Sequence, residues 1–345
     1  MNAVIRSYTL ILSMVVGLVS TTNCFADMSK LEQDANKEGE VTWYVSQHTA
    51  EDAERFARKF SEIYPAIKVN VVRSTAAVAY QRVTQDIKSG NIQADVFSTT
   101  NIIHYIDLRD KGYLDKYSAE NAKYISPLFK SAIDKDGYFY PTSAGVLYIA
   151  YNTNLVKPEE APHAWKDLLD PKWHGKLASG HPGFSGQVAM WATMVTKLYG
   201  PSYIDDLAKN EPLVGRSIYD TVTQLNSGER AVAVAAAENA WIDRDKGNPI
   251  GIVYPEEGTL LAPEPTAILK GSPHPNAARL FMEFALSKEY GDIVADLWRV
   301  PVRGDVELKP GLMTLDKLKV VPLSQDEMVN QMPEVISHWR DVFGG

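Results

Sequence analysis

The sequence predicts an α/β protein built as two lobes joined by crossing strands, and three observations carry that prediction. From residue 41 onward, short apolar stretches of strand length alternate with stretches whose apolar residues recur at helical spacing. The chain has 345 residues, 45% hydrophobic and 23% charged, too long for one small domain and suited to two of ordinary size. Finally, Gly145-Val146-Leu147-Tyr148-Ile149-Ala150-Tyr151 reads as a long apolar strand, a candidate crossover between domains, and the chain has no flexible Gly/Ser linker.

The elements follow in order. Val41–Val45 reads as a strand, and Ala53, Phe56, Ala57, Phe60 and Ile63 mark the apolar face of the helix after it. Thr49 with Asp52 three residues on resembles a capping box, and Pro65 ends the helix. Ile67–Val72 is the next strand, so the unit is strand-helix-strand and a parallel pair is expected. A helix over Tyr80–Ser89, a strand over Ala94–Phe97 and a helix over Ile102–Lys111 continue the pattern, with Gly90 and Gly112 as stops. The second half predicts helices near 186–198, 220–227 and 238–246, and strands near 231–236 and 250–254. The last third predicts helices at 276–287, 289–297 and 325–343.

Residues 1–26 have the layout of a secretory signal: Arg6 as the only charge, an apolar run from Leu10 to Val19, and small residues flanking Phe25. Ten apolar residues are about half of the ~20 needed to span a bilayer. Cleavage before Asp27 would remove Cys24, the only cysteine, leaving an exported chain with neither a disulfide nor a thiol nucleophile. The expected compartment is the periplasm. A net charge of -8 argues against nucleic acid and anionic membranes as partners.

Catalytic signatures are absent. The chain has no Walker A motif, no dinucleotide glycine fingerprint and no His-Glu-x-x-His. Gly183-Phe184-Ser185-Gly186 is one residue too short for a nucleophile elbow. The seven histidines show no zinc-site spacing. Neither an enzyme nor a cofactor is expected.

What the sequence offers instead is a set of polar junctions between strands and helices: Ser46-Gln47-His48-Thr49, Ser74-Thr75, Ser98-Thr99-Thr100 and Phe184-Ser185-Gly186. In open α/β sheets, ligands bind beyond the strand ends, where helix N-termini present free N–H groups. Each Ser or Thr alone reads equally well as a helix cap. Four junctions facing one cleft would form a site for an anion. Arg216 adds a guanidinium, and Glu238 near a helix start adds an acceptor for a hydroxyl or an amine.

Gln47-His48, Ala94-Asp95-Val96-Phe97, Asp170-Pro171-Lys172-Trp173-His174-Gly175-Lys176, Asn226-Ser227-Gly228-Glu229 and Lys270–Ala278 also carry a resemblance. Over roughly residues 40–300 the chain resembles the family 1 periplasmic solute-binding proteins of ABC importers, a branch with ferric-iron, hexose-phosphate and 2-aminoethylphosphonate binders. The resemblance implies a two-lobed type II periplasmic binding fold, each lobe a mixed, mostly parallel sheet with flanking helices around a ligand cleft. It implies a monomer that closes on its solute and docks on an inner-membrane permease. Lobe 1 is expected over 27–143 plus 263–303, and lobe 2 over 144–262 plus 304–345.

The iron binders of this branch use a histidine that maps to His48 and two adjacent tyrosines in the second lobe. Here the comparable stretch is Ala235-Ala236-Ala237-Glu238-Asn239-Ala240-Trp241, without a tyrosine. Fe(III) favours anionic oxygen ligands. The expected solute is therefore a small organic anion: a phosphate ester, phosphonate or carboxylate. Its expected contacts are Gln47, His48, Thr49, Ser74, Thr75, Ser98, Thr99, Phe184, Ser185, Gly186, Arg216 and Glu238. Ferric iron, held by His48 and Glu238, is the alternative.

Overall fold

The computed structural model describes residues 28–315 and 317–344. The leader over 1–26, with Cys24, lies outside the described residues. A helix over 28–38 (α1) precedes the first lobe: β1 (Glu40–Val45), α2 (Ala50–Ile63), β2 (Lys68–Arg73), α3 (Ala76–Ser89), β3 (Val96–Ser98) and α4 (Ile102–Asp110). β1 pairs in parallel with both β2 and β3, as the strand-helix-strand pattern predicts. Thr49 caps α2 by accepting from the Asp52 amide, and the apolar face read from the sequence buries Ala53, Phe56, Ala57 and Phe60. α3 begins four residues before the expected Tyr80, because Ala76-Ala77-Val78-Ala79 follows Thr75 directly into the helix.

β4 (Phe139–Asn152) is buried along all 14 residues, twice the length expected. The chain then forms β5 (Leu177–Gly180), α5 (Gly186–Tyr199), α6 (Ser202–Ala208), β6 (Leu213–Gly215), α7 (Asp220–Asn226), β7 (Val232–Ala236), α8 (Ala237–Asp245) and β8 (Ile250–Val253). β9 (Leu260–Ile268) returns toward the first lobe, followed by α9 (Pro275–Ala285), α10 (Lys288–Asp296), β10 (Val300–Pro301) and α11 (Gln325–Phe343). The strand order is β2-β1-β3-β9-β4-β7-β5-β6, with β8 and β10 also on β4.

β4 and β9 are the crossing strands. β4 pairs antiparallel with β9 from Phe139 to Leu147, and with β7 from Leu147 to Tyr151. The register shifts between Pro141 and Ser143, opposite Pro265 and Glu264. No strand was expected at β9, whose Pro263 and Pro265 cannot donate to a ladder.

Each lobe has its own aromatic core. Trp43, Phe56, Phe60, Phe281 and Tyr290 fill the first; Trp165, Trp191, Tyr203 and Trp339 fill the second. Met332, Val335 and Trp339 bring α11 onto the second core at helical spacing. A tryptophan this deep removes roughly 200 Å² from water, about 5 kcal/mol of gross transfer energy. Leu318 belongs to the first cluster and Leu312, Met313 and Leu315 pack against it, whereas Val321 belongs to the second. The return segment is thus shared between the clusters rather than given wholly to the second, as the 304–345 boundary expected. The stacked Trp241 and Trp298 stand in the first cluster, where the lobes meet, and draw that segment in.

Candidate functional site

The lobes face each other across the C-terminal ends of β1, β2 and β3 on one side and the starts of α5 and α7 on the other. Ser46, Arg73, Thr75, Ala76 and Thr100 form one wall; Phe184, Ser185, Gln187, Ser217, Ile218 and Tyr219 form the other. They enclose a cavity of about 20 Å³. The walls touch where Gly186 meets Thr100: a Cβ at Gly186 would lie 2.4 Å from the Thr100 carbonyl carbon, so only glycine permits this approach.

The hydroxyls on this cavity fall into two kinds. Ser185 caps α5, accepting from the Val188 amide over a long 3.5 Å, and Ser217 Oγ accepts from the Tyr219 amide at 3.2 Å. Thr75 precedes α3 but makes no side-chain cap, and its buried Oγ1 has no partner. Ser46 is 8% exposed and its Oγ is likewise unpartnered. Buried polar groups are normally paired, so both hydroxyls bring unmet hydrogen-bonding capacity to the cavity lining. The N-termini of α3 and α5 reach the same space, favouring negative charge there. Arg73 ends β2 on the first wall. Its Nε donates to the His48 carbonyl at 3.2 Å, and among the described residues its guanidinium forms no ion pair.

Behind the cavity lies a buried ionic cluster. Arg299 is 2% exposed and pairs with Glu238 at 2.5 Å and with Glu264. It also donates to the Tyr219 hydroxyl at 2.6 Å and to the Gln47 carbonyl at 2.5 Å. Glu264 accepts further from Ser143 and from Gln187 Nε2 at 2.8 Å. Gln187 reaches it over Gly145, where a Cβ would lie 2.2 Å from Nε2. Burial pushes the Glu264 carboxyl up to about 7 against the pull of Arg299. The two carboxylates hold Arg299 charged, above even its usual range, although burial opposes this. Burial raises the Tyr219 hydroxyl far above its ordinary value, so it is a neutral donor and not a phenolate.

Of the twelve residues expected from sequence, Thr75, Phe184 and Ser185 line the cavity, and Gly186 sets the approach of its walls. Glu238 lies behind it, 3.4 Å from the Tyr219 hydroxyl, with Oε1 on Arg299 and Oε2 buried without a partner. Gln47 contributes its carbonyl to the cluster, while its side-chain Nε2 donates to Thr142 and its Oε1 is unpartnered.

The others are placed elsewhere. His48 turns into the first core, between Trp43 and Phe56, with Nε2 3.1 Å from the Tyr290 hydroxyl. Burial first, and Arg299 second, hold it neutral, well below the usual imidazole range. Thr49 is a cap, and Ser74 points its hydroxyl at the Thr75 carbonyl. Ser98 accepts from the Trp43 indole and pairs with Thr266, and Thr99 bonds Tyr105 and His104. Arg216 is exposed, lying over the Phe184 ring at 4.6 Å, a rim position and not a buried anion contact. Among the described residues no group of three or more His, Cys, Asp or Glu is placed to hold a metal.

The twelve contacts expected from sequence did not include Ser46, Arg73, Thr100, Gln187, Ser217, Tyr219 or Arg299. Ser46 and Thr100 stood within the junctions already singled out, and Arg73 adjoins one of them. Arg299 carries no local signal: it lies beyond α10, distant in sequence from every partner it binds.

Two α/β lobes joined by crossing strands, with strand ends and helix starts facing each other across a small polar cavity, are the architecture of a solute-binding protein. The chain belongs to the family described as "Bacterial extracellular solute-binding protein", whose model matches residues 94–328. It is similar to the periplasmic binding protein AfuA of Actinobacillus pleuropneumoniae, solved with fructose-6-phosphate, at 25% identity and a TM-score of 0.81, covering 88% of this chain and 98% of that one. It is similar in fold to iron-bound HitA of Pseudomonas aeruginosa, at 22% identity and a TM-score of 0.77 over 88% of this chain and 99% of the other. A Salmonella typhimurium protein provisionally named as a 2-aminoethylphosphonate-binding periplasmic protein is 24% identical, over 90% of each chain. The protein is periplasmic, a binding component of an ABC transporter for a small polar or anionic ligand, and its fold and family are those of non-catalytic solute-binding proteins.

Proposed function

We propose that the protein captures a small organic phosphate ester or phosphonate and delivers it to an inner-membrane ABC permease. The observation that carries this reading is the pair of unpartnered buried hydroxyls, Ser46 and Thr75, on a cavity that also receives two helix N-termini and the Arg73 guanidinium, which forms no ion pair among the described residues. That set suits the three acceptor oxygens of a phosphoryl or phosphonyl group. Two buried acceptors lacking donors, Glu238 Oε2 and Gln47 Oε1, favour a solute with hydroxyls or an ammonium at its other end. AfuA, with its bound sugar phosphate, and the Salmonella relative, named for an aminophosphonate, agree with such a solute.

A cavity of about 20 Å³ has room for one water molecule, so the lobes part before any such solute enters. The closed lobes therefore open to admit the solute and close again around it: each wall alone holds it weakly, and closure adds the second set of contacts. A thermal-shift screen against phosphate esters, phosphonates, carboxylates and ferric citrate tests the reading. A solute at 100 times its dissociation constant adds about 2.7 kcal/mol and a clear rise in melting temperature. The expected result is a rise with phosphorylated or phosphonate compounds. A rise with ferric citrate alone would overturn the proposal.

A further inference from the structure

The cavity is not the only place where the lobes are joined. Trp298 and Arg299 follow α10, which lies in the first core through Tyr290, Ile293 and Val294. Trp298 stacks on Trp241 at a centroid distance of 4.8 Å and an interplanar angle of 9°. Arg299 pairs with Glu238. Both partners stand on α8, which carries Glu238 and Trp241 three residues apart on one face and rests on β7 and β8 in the second lobe. One dipeptide therefore grips one helix of the opposite lobe twice.

The grip has an unusual backbone. Trp298 has φ +58, one of only two positive-φ residues other than glycine among the described residues. A bulky residue in this left-handed region is strained and persists only where its surroundings hold it. Here Trp241 holds one side of its ring, and Lys309 Nζ lies 4.5 Å from the ring centroid. The turn presents the next side chain, Arg299, to Glu238 and Tyr219 of the second lobe and to the Gln47 carbonyl of the first. The guanidinium fork meets several partners at once, which an ammonium does not.

We propose that Trp298 and Arg299 form a two-pronged clamp on α8 that holds the cleft closed and so sets solute affinity from outside the cavity. Every contact in the clamp is between protein groups, so closure draws on it whatever the solute. Arg299 is a positioning residue: it acts through Tyr219, which forms part of the second wall, and through Glu238.

The test uses the full chain without added solute, so its outcome is independent of the solute reading. Small-angle scattering reports the radius of gyration, and circular dichroism reports the exciton couplet of the stacked tryptophans. Trp298→Gly, which relieves the backbone strain while removing one prong, is expected to abolish the couplet and raise the radius of gyration. Arg299→Gln is expected to raise the radius as well, with Arg299→Lys recovering part of the difference. Because Arg299→Gln leaves Glu238 and Glu264 buried without their cation, a triple variant, Arg299→Met with Glu238→Gln and Glu264→Gln, removes all three charges together and is expected to open the cleft too. A folded triple variant, or a folded Trp298→Gly, with the wild-type radius of gyration would overturn the clamp. Should the triple variant not fold, Trp298→Gly decides.

Discussion

The mouth of the cleft and the cluster behind it are made from similar residues and are finished in opposite ways. At the mouth, Ser46 and Thr75 keep hydroxyls without partners, and Arg73 forms no ion pair among the described residues. Behind it, Arg299 meets two carboxylates, a tyrosine and a carbonyl, and Glu264 has partners on both oxygens. Unmet hydrogen-bonding capacity costs free energy until a ligand supplies the missing partner, whereas a satisfied network resists change. The mouth is therefore suited to recognition and the Arg299–Glu264 pair behind it to holding a shape, while Glu238 keeps one oxygen, Oε2, unpartnered.

That contrast is open to direct attack. The largest effect is expected from Ser185→Trp, which fills the mouth without entering either core: solute binding is lost to calorimetry while the unfolding transition stays cooperative. Next comes the pH response of the cluster. Glu264 has its folded pKa raised to about 7 from 4.5, so its contribution to stability is fully present below pH 4.5 and is lost as pH rises through about 7. Denaturant titrations of wild type and Glu264→Gln across this window are expected to differ in slope, and equal slopes would refute the assignment. Arg73→Ala removes a charged donor at the mouth and is expected to cost about 2 kcal/mol of affinity, roughly thirtyfold, with stability little changed. Thr75→Val keeps the shape and removes one hydroxyl, for about 1 kcal/mol or roughly fivefold in affinity. Smallest in binding is Thr49→Ala: about 1 kcal/mol of helix stability is lost and affinity is unchanged. A loss of affinity there would return Thr49 to the site.

Much of the architecture was legible in local pattern. α2, α5 and α11 appear close to their expected bounds because an amphipathic face or an apolar run, with a capping residue before it, is written within one stretch of chain. β9 was hidden because its two prolines contradict strand propensity, and its register with β4 shifts beside one of them, Pro265. Thr75 and Ser185, which line the cavity, were singled out by their place between strand and helix. His48 was misjudged: a histidine in a polar turn looks available, yet the backbone turns it toward Trp43 and Phe56.

Sequence alone determined the α/β class, the alternation of elements, the crossing strand β4 and the junctions from which a site could be made, because each depends on spacing within a few residues. Which hydroxyls are left free and which are consumed as caps was decided only by the tertiary structure, since that depends on what the opposite lobe brings near. The same holds for Arg299: its four partners are gathered from turns, a helix and a strand up to 252 residues away, a meeting that no local pattern encodes.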